Sequence, residues 1–185
     1  MQAGVGGLLV LVTRAPLGLR PPRLWAGLRL GSAIGAVAAT AIAVTTSVPA
    51  VRASMSDRDL PASVPGWLML RIPVGTVWAE EAAFRAALAH AGAGAGSTAF
   101  GSSGGRLLQA AAFGVSHIPD ARAMGEPVVA VVAATGIGGW LFGWMADRSG
   151  SLAAPFLVHL AINEAGALAA LAVHRRLRRP ARNGP

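Results

Sequence analysis

The chain has no cysteine, no lysine and no tyrosine in its 185 residues, and only 13% of its residues are charged. The absence of cysteine excludes disulfides and thiolate metal ligands. With no tyrosine and few other aromatic residues, the chain lacks the stacking platform of many nucleic-acid-binding modules. Hydrophobic residues make up 54% of the chain, which exceeds their usual share in soluble domains. This composition indicates a membrane protein.

Because lysine is absent, arginine alone carries the positive side of the formal net charge of +8. Many of the arginines lie near the two ends of the chain, at Arg14, Arg20, Arg23, Arg29, Arg175, Arg176, Arg178, Arg179 and Arg182. They flank long apolar runs, so we expect them to bind anionic lipid headgroups and to influence topology. The lipid bilayer is therefore the expected partner of this charge, and nucleic acid is not.

Apolar runs and the residues that break them predict five helices, over 30–51, 67–90, 107–118, 127–146 and 151–173. Polar or glycine-rich stretches predict loops over 52–66 and 91–105 and a tight turn at 147–150. A helix over 107–118 would be only about 18 Å long, too short to cross a bilayer alone. Segment 1–16 has an apolar run of about nine residues, so we expect neither a membrane span nor a signal peptide there.

The predicted fold class is therefore all-α, with a multi-pass transmembrane bundle of about five helices over residues 30–173. An arginine-containing segment, 1–29, precedes this bundle, and a basic tail, 174–185, follows it. Five crossings would place the two ends on opposite faces of the membrane, although both ends carry arginine. The sequence consequently predicts neither an orientation nor an oligomeric state.

Ionisable side chains within apolar helices are costly in a bilayer, so they are candidates for function. Counted along the helices from one face, Glu80 lies about 18 Å deep, His117 about 16 Å and His159 about 14 Å. These depths agree, although the residues belong to three different predicted helices. The sequence therefore predicts that the three side chains meet near the middle of the membrane.

Spacing within each helix refines this prediction. Glu81 and Arg85 are four residues apart and can form an ion pair, whereas Glu80 points about 100° away and is left for other contacts. His159 and Asn163 are also four residues apart, so both are expected to project from one helix face into the same cavity.

A carboxylate, two imidazoles and an amide around a hydrated cavity can activate a water molecule and stabilise an oxyanion. The same histidines and glutamate could instead hold zinc with an open coordination position. Residue spacing leaves both possibilities open.

Three motifs on separate predicted helices resemble those of the CAAX prenyl endopeptidase and bacteriocin-processing (CPBP, Abi-like) family of intramembrane proteases. The family pattern is EExxxR, FxxxH and HxxxN, and this chain reads EEAAFR from Glu80, FGVSH from Phe113 and HLAIN from His159. The stretch GWLFGWMADRSGSLAAPFLVHLAIN is also similar, and the resemblance covers roughly residues 74–171.

The resemblance implies an endopeptidase that hydrolyses a peptide bond of a peptide or membrane-protein substrate with a glutamate-activated water. On this basis Glu80 is the general base and His117 assists it, while His159 and Asn163 position the water or stabilise the oxyanion. Whether zinc is present, on His117 and His159, stays open. The implied location is integral to a membrane, in the plasma membrane of a bacterium.

The resemblance gives Glu81 and Arg85 a supporting role. Ala86 stands where bacterial members usually have glycine, a difference that concerns helix packing. The chain also has fewer predicted spans than the eukaryotic enzymes, so a prenylated CAAX substrate does not follow. Two other functions are compatible with the sequence: a catalytically silent interaction or immunity protein, and a small proton-linked carrier that uses the buried acids.

Overall fold

The computed structural model describes residues 2–57, 59–95 and 103–177, and within these ranges the chain is helical with no β-strand. The all-α prediction is therefore confirmed. The α-helices are α1 (Gln2–Thr13), α2 (Arg23–Thr45), α3 (Pro49–Ser56), α4 (Val64–Gly66), α5 (Ala89–Ala95), α6 (Ser103–Ser116), α7 (Ile118–Ala123), α8 (Val128–Ser149) and α9 (Ala153–Leu177). Two π-helical stretches, π1 (Trp67–Trp78) and π2 (Glu81–Leu88), lie between α4 and α5.

All five predicted helices are present, but their ends differ from the predictions. The first predicted helix, 30–51, is α2, which begins seven residues earlier and ends at Thr45. The predicted loop 52–66 is wrong in part, because α3 extends to Ser56 and α4 begins at Val64. Val48, which precedes Pro49, is extended, as proline favours for the residue before it. The chain therefore breaks between α2 and α3 and then resumes a helix.

The observed ends of the other helices also differ from the predicted ones. The loop predicted over 91–105 is wrong at both ends, since α5 continues to Ala95 and α6 begins at Ser103. Residues 96–102 of this prediction lie outside the described residues. Most of the turn predicted at 147–150 is helical, and only Gly150 leaves the helix, with a left-handed φ of 66°. The last helix begins at Ala153 and continues to Leu177, beyond the predicted end at 173.

Among the described residues, three helices, α2, α8 and α9, are long and apolar enough to cross a membrane, with 23, 22 and 25 residues. The expected helical bundle is therefore present, with three long candidate spans and shorter helices beside them. The long helices leave apolar side chains exposed, namely Val37, Val44, Val129, Ile137 and Leu168. Exposed apolar faces of this kind suit contact with lipid. The chain is an integral membrane protein.

The segment that carries both glutamates of the first motif is continuously helical from 64 to 95. It includes π1, with Pro73 inside it, and π2. Proline has no backbone N–H, so it cannot complete a regular helical ladder. π-Helical turns are uncommon and often lie at functional sites. The sequence prediction of a regular helix over 67–90 missed this irregularity.

Helices α2 and α9 pack closely through three buried glycines of α2, at Gly27, Gly31 and Gly35. A Cβ atom on Gly31 would lie 2.8 Å from the carbonyl oxygen of Ala154 and 3.0 Å from its Cα. Small residues allow membrane helices to approach at this distance. This contact holds α9, with His159 and Asn163, against the first long helix.

We expect Gly31→Ala to destabilise the fold by about 1 to 3 kcal/mol, because backbone atoms of α9 cannot move aside as a flexible side chain would. Gly138→Ala in α8 is a matched control, since a Cβ there meets no atom within 4 Å. Thermal unfolding in detergent measures both variants. Equal unfolding temperatures for the two would contradict the close α2–α9 contact.

Candidate active site

The two adjacent glutamates lie where the two π-helical stretches meet, and their surroundings differ. The side chain of Glu81 is fully buried, whereas that of Glu80 is 28% exposed. Neighbouring carboxylates in different surroundings can serve different roles. In this site Glu80 is the accessible carboxylate and Glu81 the enclosed one.

Glu81 connects two of the three motifs. Its Oε1 accepts a hydrogen bond from Nδ1 of His159 at 2.8 Å. Its Oε2 lies 3.3 Å from Nε of Arg85, which gives the ion pair predicted from their spacing. The Arg85 nitrogens nevertheless have no hydrogen bond of good geometry, so the pair is held by proximity rather than by a directed bond. The sequence analysis did not predict the contact between Glu81 and His159.

The guanidinium of Arg85 is buried among aromatic rings. Its Cζ lies 3.9 Å from the centre of the Phe113 ring and 4.9 Å from that of Phe142. Cations are attracted to the faces of aromatic rings, most strongly where water is excluded. Phe113 belongs to the second motif. Phe142 is not a motif residue, but it lies in the stretch GWLFGWMADRSG that resembles the family. The sequence offered no signal for the role of Phe142 beyond its place on an apolar helix.

His159 lies between the two carboxylates. Because Glu81 accepts from Nδ1, that nitrogen carries a proton, and Nε2 is directed towards Glu80 with 3.7 Å between Nε2 and Oε2. This distance is too long for a direct hydrogen bond. The imidazole also stacks on Phe142, with 5.1 Å between ring centres. The ring is therefore fixed in orientation, and its Nε2 is available for chemistry.

His117 lies at the turn between α6 and α7. Its Nδ1 donates a hydrogen bond to the carbonyl oxygen of Phe113 at 2.7 Å, which leaves Nε2 without a proton in the neutral ring. The Phe113 ring contacts both imidazoles, with centre distances of 4.7 Å to His117 and 6.1 Å to His159. The structure thus brings the three motifs together, as the helix depths predicted.

Asn163 is placed differently from the expectation. Its Nδ2 donates to the backbone carbonyl of His159 at 3.1 Å, and its side chain lines a cavity of about 1130 Å³. His159 is not among the residues that line this cavity. The histidine and the asparagine share a helix, but the imidazole faces the glutamates while the amide faces the cavity.

A catalytic zinc site needs three protein ligands and an open position. Across the described ranges, no group of three histidine, aspartate or glutamate side chains is arranged to hold a metal ion. Nδ1 of each imidazole is engaged, by Glu81 in His159 and by a backbone carbonyl in His117. An engaged Nδ1 leaves Nε2 free for acid and base chemistry, and metal-ligating histidines are held by their second nitrogen in the same way.

The family model described as "Type II CAAX prenyl endopeptidase Rce1-like" matches residues 62–165, more than half of the chain. Comparisons with curated proteins and with solved structures find no match. The matched region contains all three motifs and the helices that bring them together. The family is one of membrane proteases, which act on peptide or protein substrates. This chain belongs to the Rce1-like family of type II CAAX prenyl endopeptidases.

Proposed function

We propose that this chain is an intramembrane endopeptidase that hydrolyses a peptide bond with a water molecule activated by Glu80 and the site histidines. The observation that carries the proposal is the position of His159, with Nδ1 bonded to buried Glu81 and Nε2 directed towards the more accessible Glu80. A base whose orientation is fixed by a buried carboxylate is a recurring arrangement in hydrolytic sites.

In this proposal Glu80 accepts a proton from the attacking water and later passes it to the leaving amine. Nε2 of His159 lies beside Glu80 and can share that proton, while Glu81 holds the ring in place through Nδ1. His117 assists through its own Nε2. Glu81 is then a positioning residue for His159 as well as the ion-pair partner of Arg85.

We place the substrate in the large cavity that Asn163 lines, about one helical turn along α9 from His159. Its wall also includes Trp67, Ile72 and Thr76 from the segment that carries the glutamates. A volume of about 1130 Å³ is above the usual range for small-molecule pockets, which suits a stretch of polypeptide. The Asn163 amide uses one donor for the His159 carbonyl, and its remaining N–H and its oxygen can bind the substrate or the water.

The proposed substrate is a peptide or a segment of a membrane protein, and the proposed location is the plasma membrane of a bacterium. Comparing membrane peptides from cells with and without the protein would identify candidate substrates. Purified protein in liposomes would then be incubated with a candidate, and the products would be identified by mass spectrometry.

We expect His159→Gln to reduce cleavage about 10²- to 10⁴-fold, because the Gln amide cannot exchange a proton as imidazole does. His174→Gln is a matched control on the same helix, since His174 lies outside the three motifs and its hydrogen bond among the described residues is to the carbonyl oxygen of Met55, at 3.2 Å. Full cleavage by His159→Gln would contradict the proposed role. No cleavage by the unaltered protein would favour an interaction protein or a carrier.

The same assay tests the role of metal. Water activation by Glu80 and histidine predicts that cleavage persists after treatment with a zinc chelator. Loss of activity with the chelator, and its recovery when zinc is added, would contradict metal-independent hydrolysis.

A further inference from the structure

A second cavity, of about 380 Å³, lies at the end of the bundle where α2 begins, α8 ends and α9 begins. We call it the arginine cavity because Arg23, Arg85 and Arg106 line it. These residues come from α2, π2 and α6, so separate parts of the chain bring three arginines to one cavity. His90 also lines it, and Asp147 is the one carboxylate among its lining residues.

The contacts inside the arginine cavity leave positive charge unmatched. Asp147 bonds to Nη1 of Arg106 at 3.1 Å, and Glu81 lies beside Nε of Arg85. The Nη1 and Nη2 atoms of Arg85 and Nε of Arg106 are buried without a hydrogen-bond partner. Arg23 has no ion pair with any part of the chain that the structure describes. A buried donor without an acceptor is costly, so Nε of Arg106, together with the charge of the exposed Arg23, favours an anion in the cavity.

The position of the cavity indicates which anion is available. All three long apolar helices begin or end beside it, which places it at the level of lipid headgroups on one face of the membrane. The segment before α2 and the turn between α8 and α9 both line the cavity. They are joined by a hydrogen bond from the backbone N–H of Leu152 to the carbonyl oxygen of Leu17, at 2.9 Å. Basic pockets between membrane helices are suited to anionic headgroups, and arginine binds phosphate through two parallel hydrogen bonds.

We propose that the arginine cavity binds the phosphate group of an anionic lipid headgroup. Arg23 and Arg106 contact the phosphate, and Arg85 lines the cavity with its guanidinium buried behind it. Because Arg85 also pairs with Glu81, the bound phosphate would connect the membrane surface to the site that holds His159. The proposal concerns binding and does not depend on peptide cleavage.

The test uses the full chain in nanodiscs of phosphatidylcholine, with and without a minor share of phosphatidylglycerol. Thermal unfolding followed by tryptophan fluorescence gives the stabilisation by lipid, and native mass spectrometry gives the number of lipids retained. We expect phosphatidylglycerol to raise the unfolding temperature of the unaltered protein and to remain bound. Arg23→Gln and Arg106→Lys should each weaken retention about tenfold, the typical effect of losing one charge-assisted hydrogen bond.

The choice of variants separates site binding from general attraction and from misfolding. Arg106→Lys keeps a positive charge for Asp147 but loses the planar guanidinium that binds phosphate through two hydrogen bonds. Arg23 is exposed, so its replacement does not disturb the core. Arg148→Gln is the matched control, since Arg148 is exposed beside Asp147 and does not line the cavity. An equal loss of lipid in Arg148→Gln would overturn the proposal, as would full lipid retention in the two cavity variants.

Two further arms distinguish the source of the anion. Inorganic phosphate added to pure phosphatidylcholine discs should give little stabilisation, and stabilisation equal to that by phosphatidylglycerol would overturn the lipid assignment. A substrate peptide with a free terminal carboxylate, compared with its amide, should not displace the lipid. Displacement by the acid alone would overturn the proposal in favour of a substrate subsite.

Discussion

Replacing Glu80 with glutamine should reduce peptide cleavage by at least about 100-fold while leaving the folded protein intact. Glutamine has nearly the shape of glutamate but cannot accept a proton from water at neutral pH. The Glu80 side chain is partly exposed, and its nearest described partner, Nε2 of His159, is 3.7 Å away. The fold therefore depends little on its charge, whereas the proposed reaction depends on it entirely.

The measurement is the cleavage rate of Glu80→Gln in liposomes, with thermal unfolding measured on the same preparation. Glu164→Gln is the matched control, because Glu164 is a half-buried carboxylate on α9 that has no hydrogen bond or ion pair with the residues the structure describes. We expect Glu164→Gln to cleave at the unaltered rate. Normal cleavage by Glu80→Gln would show that Glu80 is not the base. If the protein is a catalytically silent interaction protein, Glu80→Gln and Glu164→Gln should give the same phenotype in cells.

Replacing Arg85 with alanine should have the largest effect on stability, about 3 to 5 kcal/mol, because it leaves the buried carboxylate of Glu81 without its cation. Only 6% of Arg85 is exposed, and its guanidinium also packs on Phe113 and Phe142. We expect the variant to accumulate poorly in membranes. Arg71→Ala removes an exposed arginine from the same helical segment and should change stability by no more than about 0.5 kcal/mol.

A double substitution tests the cause of this loss. If the unpaired charge of Glu81 is responsible, then adding Glu81→Gln to Arg85→Ala should cost less than the sum of the two single changes. If the effects simply add, the loss arises from packing on the aromatic rings instead. Normal accumulation and unfolding of Arg85→Ala would show that the ion pair has no structural importance.

The sequence was sufficient to predict the helices and the convergence of the three motifs. Long apolar runs with few charges can only be helices in a bilayer, because backbone groups there must bond within their own segment. Glu80, His117 and His159 have similar counts from the same face of the bundle, so their depths follow from the rise of a helix. The ion pair of Glu81 with Arg85 followed from the spacing of four residues.

Helix ends and the number of long spans were less predictable. The start of α2 lies at Arg23, earlier than expected, because arginine can extend its charged end to the membrane surface while its stem lies along the helix. The π-helical stretches around Glu80 had no signal except Pro73, since their hydrogen bonds depend on how the segment packs against its neighbours.

The sequence by itself therefore determined the helical class, the depth of the ionisable residues and the local pairing within each helix, since all of these depend on spacing along one segment. Only the tertiary structure decided that His159 bonds to Glu81, that Phe142 covers the imidazole, and that three distant arginines share a cavity. These contacts depend on how far each helix is rotated about its axis. That rotation is set by packing between helices, such as the close approach of α2 to α9 at Gly31, which no single segment encodes.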